Sequence, residues 1–391
     1  MATYYIAVSG SANNSGTSPS SPWPLSKVTS TNFVAGDHIL FNKGDVFGTF
    51  TFTKSGSAGN PIVFDLYGNA QHNAIFNANG ANTPCAQFTN TAYITINNLQ
   101  FINSKANNGN LYFTGSGCHD ILVFNCHIQT AQRGLNMVGC TGNLVIKNSY
   151  FEDFKDHTTG ITAPTNGVGS AIQLNGCTGG GIEIAYNYCY TPVILNNANT
   201  ANLGIGDVIS IYQCYATSSS YLLVHDNYVR GGGSSAPGYA GLVLGDVGGQ
   251  YQYGYNNIFV NSGKVGAQVQ GGTFINMSDN FIYGNTFPYT SVGLSFGNYY
   301  TLNNVKQPCN NITMGGNKIC FYSGSNGHNF NKWVDTGSGV TTPTNWSTNT
   351  SDTGCDSAAN NSLLADPLWT GTPWDTITGL ISVTGRRMIQ L

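Results

Sequence analysis

The chain has 391 residues, a formal net charge of −3, and only 8% charged residues, where an average soluble domain carries roughly a quarter. Hydrophobic residues still reach 40%, and no run approaches the roughly 18 apolar residues of a spanning helix, so neither disorder nor a membrane span fits. The 14 Lys plus Arg form no basic stripe, which excludes nucleic acid as an expected partner and weighs against a strongly anionic polysaccharide.

The opening MATYYIAVSG lacks a basic segment followed by an apolar one, so no signal peptide is expected. An extracellular protein of this kind either had its signal removed or leaves the cell another way, for example inside a virus particle. Residues 1–84 show no regular repeat and are expected to supply a cap and the first coils of a solenoid.

From residue 94 one pattern recurs: apolar, any, apolar, two residues, Asn or a small residue, any, apolar. It reads Ile94-Ile96-Leu99-Phe101, Ile121-Val123-Cys126-Ile128, Leu144-Ile146-Ser149-Phe151, Ile182-Ile184-Asn187-Cys189 and Leu222-Val224-Asn227-Val229. It continues as Tyr251-Tyr253-Asn256-Ile258, Ile275-Met277-Asn280-Ile282 and Ile312-Met314-Asn317-Ile319. The i, i+2 spacing is that of a strand with one buried face, and the Asn is expected to turn the chain. A second strand precedes most copies, as in Leu135-Asn-Met137, Ile172-Gln-Leu174, Ile209-Ser-Ile211, Leu242-Val-Leu244 and Ala267-Gln-Val269. One such coil cannot bury its apolar face, but stacked coils share a continuous core. The expected fold is therefore all-β: a parallel β-helix in one structural domain, with coils over 85–320 and atypical caps at 1–84 and 321–391.

The ten Cys contain no CxxC pair and no zinc-spaced Cys/His cluster. Cys140, Cys177 and Cys214 fall in one column and read as a ladder of buried thiols about 4.8 Å apart, with disulfides or metal as the alternatives. No cofactor is expected. Asp-rich bends could offer oxygen to Ca²⁺, but the Asp repeat of calcium-binding solenoids is missing.

Outward side chains at equivalent positions form further columns: Arg133, Ser170, Asp207, Ala240, Val265; then Asn136, Gln173, Ser210, Val243, Gln268, Ser295; then Val138, Asn175, Tyr212, Gly245, Gln270. Amides, hydroxyls and an aromatic ring suit sugar hydroxyls and a pyranose face. Gln173, Asn175, Tyr212, Gln268 and Gln270 are the candidate substrate-binding residues, the alternative being that the amides merely ladder along the stack. Between Arg133 and Asp207 enters an insertion beginning Glu152-Asp153-Phe154-Lys155-Asp156-His157, the densest cluster of ionisable groups in the chain. Inserted loops often carry a solenoid's site. Asp207 with Asp156 or His157 is the candidate acid–base set, and Lys155 or Arg133 the candidate stabiliser of developing negative charge. The alternative is a solvated loop with local ion pairs. Asp246, in Gly245-Asp246-Val247-Gly248-Gly249, reads as a turn-capping residue. Asp226 and Asp279 read as structural, and His119, His127 and His225 as isolated surface or bend residues. Of Tyr251, Tyr253 and Tyr255, two are expected to point inward and one to offer a sugar platform.

Several segments resemble the N-terminal signature of the pectin-lyase-like right-handed β-helix superfamily. They are Tyr4-Tyr5-Ile6-Ala7-Val8 with Gly10, Asn14, Gly16-Thr17 and Pro22-Trp23, then Ala35-Gly36-Asp37-His38-Ile39-Leu40-Phe41, Lys43-Gly44-Asp45-Val46-Phe47 and Gly59-Asn60-Pro61-Ile62. The resemblance covers the first 70 residues and the repeat region to about residue 320. It implies a right-handed winding and a polysaccharide or cell-surface glycan as partner, since such proteins include polysaccharide lyases, glycoside hydrolases, uronate epimerases and viral tail spikes. Fold does not choose among them. The chain lacks an Asp-Pro-His motif, the adjacent Asp pair with Gly-His-Gly, and an Arg-rich strand, so no family catalytic set carries over. Two readings stand: a hydrolase or lyase acting on a neutral or weakly charged glycan, or a non-catalytic tail spike, adhesin or filament subunit, in which case a homotrimer or larger assembly is expected.

Overall fold

Parallel pairing in register stacks each strand on its counterpart one coil earlier, so identical positions of successive coils form columns. In the computed structural model this happens three times per coil. The structure describes residues 1–154, 169–191, 206–231, 240–284, 291–298, 301–302, 305–306, 309–323, 328–329, 331–335 and 340–351. A coil runs, for example, through Ala92–Asn97, Gln100–Ile102 and Leu111–Thr114, which lie in a first, second and third sheet. Among the described residues these sheets hold eleven, twelve and ten strands, and the winding is a right-handed parallel β-helix.

The inward columns make one core. Ile121 pairs with Ile94 on one side and Leu144 on the other; all three are buried. Rings stack along the axis as well, Phe88 on Phe113 at 4.7 Å and Phe76 on Phe101 at 5.3 Å. Each such side chain contributes about 1.5–3 kcal/mol by leaving water. At the N-terminal end the helix Ser26–Ser30 packs on the strand Phe50–Phe52, the outermost of the third sheet, and buries Val28 with Phe33 in the core.

The bend between the first and second sheets takes two residues, and the structure reverses their expected roles. The left-handed conformation falls on the residue before the repeat's Asn or small residue: Asn125, Asn148, Asp226 and Asp279 have φ between 50° and 56°. The next residue points inward. From Asn187 onward it is a buried Asn, forming a ladder through Asn227, Asn257, Asn280, Asn317 and Asn349. Asn227 Nδ2 donates to Asn257 Oδ1 at 2.9 Å and to the Ile184 carbonyl at 2.9 Å, while its Oδ1 accepts from the backbone and side-chain nitrogens of Asn187, both at 3.0 Å. The ladder is therefore satisfied at donor and acceptor, as burial demands.

One coil departs from the expected register. Leu222 pairs with Gln252 and Val224 with Gly254, so Gln252 points inward in place of Tyr251 and Tyr253, and Asn257 replaces Asn256 in the ladder. A one-residue shift exchanges the two faces of a strand. Buried Gln252 is tolerated because its Oε1 accepts from Gly245 N at 2.9 Å and its Nε2 donates to the Cys214 carbonyl at 2.8 Å. Cys140, Cys177 and Cys214 are free, buried thiols, and Cys118 extends their column. Cys320 is disulfide-bonded.

Because one ladder amide serves two coils, truncating it strands partners on both. Asn257→Ala is expected to lower stability by roughly 3 kcal/mol, whereas Asn256→Gly, at a left-handed position, should stay within about 0.5 kcal/mol of the parent. Chemical denaturation midpoints check the pair; equal losses would remove the ladder from its place as a stabiliser.

Candidate active site on the outward face of the third sheet

Tight alternation in the third sheet sends every second side chain away from the core. The expected columns are present: Asn136 pairs with Gln173, Gln173 with Ser210, Ser210 with Val243, Val243 with Gln268, and Gln268 with Ser295. Val138, Asn175 and Tyr212 form the next column. There the order breaks. A register shift between Ser210 and Tyr212 adds a residue to the facing strand, so Tyr212 pairs with Asp246 and not with Gly245. β-bulges of this kind re-aim side chains, often beside active sites.

Although these side chains leave the core, many are buried. Asn136, Ser170, Ser210, Gln268, Gln270 and Ser295 are each at most 4% exposed, while Gln173, Asn175 and Tyr212 are half-buried. Most of the buried set is also unsatisfied. Arg133 Nε, Asn136 Oδ1, Ser170 Oγ, Gln268 Oε1, Gln270 Oε1 and Ser295 Oγ have no hydrogen-bond partner among the described residues. A fold that satisfies every amide of its inner ladder leaves one flank of donors and acceptors unpaired, and such groups are costly unless water or a ligand completes them.

Two carboxyls lie on this flank. Asp207 Oδ1 accepts from Ala240 N at 2.9 Å. One coil on from Asp207, its column turns apolar, and Ala240, Val243, Val265 and Val292 pack as a cluster. Withdrawal from water holds the Asp207 carboxyl well above the usual carboxylate range, the Asp246 charge adds to this, and the Ala240 N–H opposes it. Asp246 is buried, and desolvation pushes it up to about 7. The two titrate as a linked pair. Tyr212 feels the same carboxyl: burial first, and then the Asp246 charge, raise its phenol. No hydrogen bond ties the Asp246 side chain to its turn among the described residues, the turn being closed instead by Gly248 N on the Gly245 carbonyl at 3.0 Å. The turn-capping reading of Asp246 is thus corrected. Val247, the next residue, has φ 53°, an outlier for a β-branched side chain of the sort found at functional sites.

The other expected site residues divide. Lys155, Asp156 and His157 lie outside the described residues. Arg133 stands in the expected column, paired with Ser170, but its Nη1 donates to the Asn107 carbonyl at 2.5 Å, on the preceding coil. The histidines are not isolated. His225 is buried, with Nε2 2.9 Å from Glu183 Oε1 and Nδ1 2.7 Å from Asp226 Oδ2; Lys147 completes the group at 2.8 Å from Glu183. His119 lies 2.6 Å from Asp120 and His127 3.4 Å from Glu152. Sequence reasoning misses His127 and His225 because their partners Glu152 and Glu183, one coil away, are far off along the chain, 42 residues in the case of His225, and His119 because an adjacent Asp carries no pairing signal of its own. No cluster of three metal-ligating side chains occurs among the described residues, and no described helix is long and apolar enough to cross a membrane.

No protein-family model matches the chain, and no curated protein matches it. Solved structures do. A lacto-N-biosidase from Eubacterium ramulus is 14% identical with a TM-score of 0.41, over 84% of this chain and 59% of that one. A pectate lyase is 14% identical with a TM-score of 0.44, over 81% and 79%. A mannuronic acid specific polysaccharide lyase from human gut microbiota is 12% identical with a TM-score of 0.40, over 87% and 84%. The chain spans about three fifths of the lacto-N-biosidase's length. The likeness is one of winding, and no residue role is carried over.

An Asp whose folded pKa lies above its unfolded value binds its proton more tightly when folded. Its contribution is therefore full below about pH 4 and is lost as pH rises through about 7. With Asp246 held at about 7, the folded state should lose roughly 2–4 kcal/mol between pH 4 and 8 from this group. Asp246→Asn is expected to flatten that slope and raise the melting temperature at pH 8; an unchanged slope would show that Asp246 is not the buried titrating group.

Proposed function

We propose that this protein is a glycoside hydrolase that acts on a neutral glycan laid along the outward face of the third sheet, with Asp207 and Asp246 as its acid–base pair. The observation that carries this reading is the coincidence, on one flank, of unpaired buried amides and hydroxyls with two linked carboxyls of raised pKa. Sugar hydroxyls both donate and accept, so they complement Gln268, Gln270, Ser170 and Ser295 in a way that an apolar ligand cannot. The flank is poor in charge. The expected cation of this flank within the described residues, Arg133, reaches toward Asn107, which favours an uncharged substrate over a uronate.

Glycosidic hydrolysis needs one carboxylic acid and one carboxylate. Linkage between the two groups supplies that state. Once Asp246 ionises, its charge holds the proton on Asp207. Asp207 then gives this proton to the glycosidic oxygen as the bond to the anomeric carbon breaks, and Asp246 assists attack at that carbon, as base toward water or as nucleophile. Tyr212, opposite Asp246, offers a ring face to the sugar and a hydroxyl to its rim. Such a substrate places the protein outside the cell, on a surface or on a virion.

Incubation with neutral and acidic polysaccharides, followed by reducing-end detection, tests the reading. Cleavage of a neutral glycan is expected, with an acidic limb in the pH–rate profile near 7. Asp207→Asn and Asp246→Asn should each lower kcat/KM by about 100-fold or more while glycan retention persists. Unsaturated uronate products would overturn the reading in favour of elimination, and full activity of both variants would remove the pair from the chemistry.

A further inference from the structure

The corner that leads from the third sheet back to the first has its own column, and its occupants are anomalous. Register places Tyr93, Asp120, Asn143, Gly181, Tyr221, Tyr251, Phe274 and Asn311 one above another. The backbone here is left-handed: Asp120 has φ 53°, Asn143 43°, Gly181 73° and Asn311 55°. Gly, Asn and Asp are the residues that adopt this conformation at low cost. Yet three aromatic residues of the column adopt it too: Tyr93 at 54°, and Tyr251 and Phe274, on adjacent coils, each at 55°. Aromatic residues in that region store strain, and strain persists where the surrounding structure enforces it and function has a use for it.

Tyr251 is partly buried against the edge of the core, but Phe274 gains no such burial in exchange. Phe274 is 37% exposed and Tyr215, at the same corner, 41%. Tyr251 stacks on Phe274 at 4.9 Å and 14°, and Tyr221 meets Tyr251 edge-on at 5.5 Å. Around the rings stand amides and hydroxyls: Gln250 and Thr273 pair beside them, and Asn310 and Asn311 are exposed on the next coil. The patch also joins the candidate active site. Tyr215 follows the strand that carries Tyr212 and bridges to Gln250, and Gln250 ends the turn that begins at Gly245 and Asp246.

From this conjunction we propose that the corner formed by Tyr215, Tyr221, Tyr251 and Phe274 is a second glycan-binding surface, which holds pyranose units of the same chain beyond the third-sheet cleft. It rests on the carbohydrate reading of that cleft. The occupant is a sugar because uncharged aromatic surface rimmed by amides and hydroxyls matches a pyranose, with C–H faces and a hydroxyl edge. Continuity with the Asp246 turn makes it an extension of one binding path. Among the described residues, the patch and the rim named above carry no ionisable group other than the phenols, which disfavours a charged partner.

The strain supplies an unusual test. Asn is the residue the left-handed backbone prefers, so Phe274→Asn and Tyr251→Asn should leave the melting temperature unchanged or raise it. The same variants should weaken retention in affinity electrophoresis through gels of soluble neutral polysaccharide (β-glucan, galactomannan, xylan or starch) by about tenfold, the effect of losing one buried ring contact. A lower melting temperature with unchanged retention overturns the proposal and makes the rings structural. Loss of a dimer in light scattering with unchanged retention also overturns it, in favour of contact between copies of the chain. If the parent protein is retained by, and cleaves, none of these glycans, the carbohydrate reading itself falls; if the parent is retained and the variants equally so, only this surface falls.

Discussion

Everything in this molecule depends on strands stacking in register, so that a residue's neighbours are set by its column and hardly at all by its place in the sequence. The apolar core tolerates substitution within a column, but it does not by itself choose a register; sliding a strand by two residues keeps the same face inward. The buried Asn ladder does choose. Each amide fits one carbonyl behind it and one amide ahead, as where Asn227 links Ile184 to Asn257. A slipped coil would leave donors and acceptors unmet inside the core, where each costs about 1–3 kcal/mol. Register is thus enforced by the penalty on misalignment, more than by the attraction of the aligned state.

That rigidity makes local irregularity tolerable, and the irregularities are concentrated. Most left-handed positions belong to Asn, Asp or Gly. Of the exceptions, Tyr93, Thr130 and Tyr186 lie elsewhere in the winding, while Gln213, Val247, Tyr251 and Phe274 succeed one another over consecutive coils, on the same side of the solenoid. The bulge opposite Tyr212 lies among them. So do buried Gln252, a polar residue in an otherwise apolar column, and the two carboxyls that share a titration. Regular coils on either side hold these departures in place, and the departures assemble the site proposed above.

Much of the fold was legible because period-two alternation and the bend signal survive in most coils from residue 94 onward. The column from Asn136 through Gln173, Ser210, Val243 and Gln268 to Ser295 could be written from the sequence with its pairing correct. Reading failed where a residue's type argued against its environment. Tyr251, Tyr253 and Tyr255 alternate like an inward face, and Gln252 between them looks like surface; only its bonds to Gly245 and Cys214 make the opposite assignment stable. Asp246 was lost for a different reason. Glycines flank it in a motif that signals a turn, and the added residue that brings it opposite Tyr212 belongs to the facing strand's geometry, which no local pattern encodes. The loop residues Lys155, Asp156 and His157 lie outside the described residues, so their expected role gains nothing from this geometry.

The contrast between the two charged clusters says where chemistry belongs. On the first sheet, His225 sits between Glu183 and Asp226, and Lys147 closes the group. Every ionisable group there has a partner at 2.7–2.9 Å, and the ring of Tyr255 covers the imidazole at 4.7 Å. Such a network has met its own demands and gains nothing from a ligand. On the third sheet the balance is reversed. Asp207 and Asp246 are like charges whose desolvation is answered, among the described residues, by the Ala240 N–H, and the amides beside them are unpaired. A stable fold removes such frustration unless something outside the chain resolves it. By that argument the flank with fewer ionic contacts, and not the flank with more, is the one where the proposed chemistry belongs.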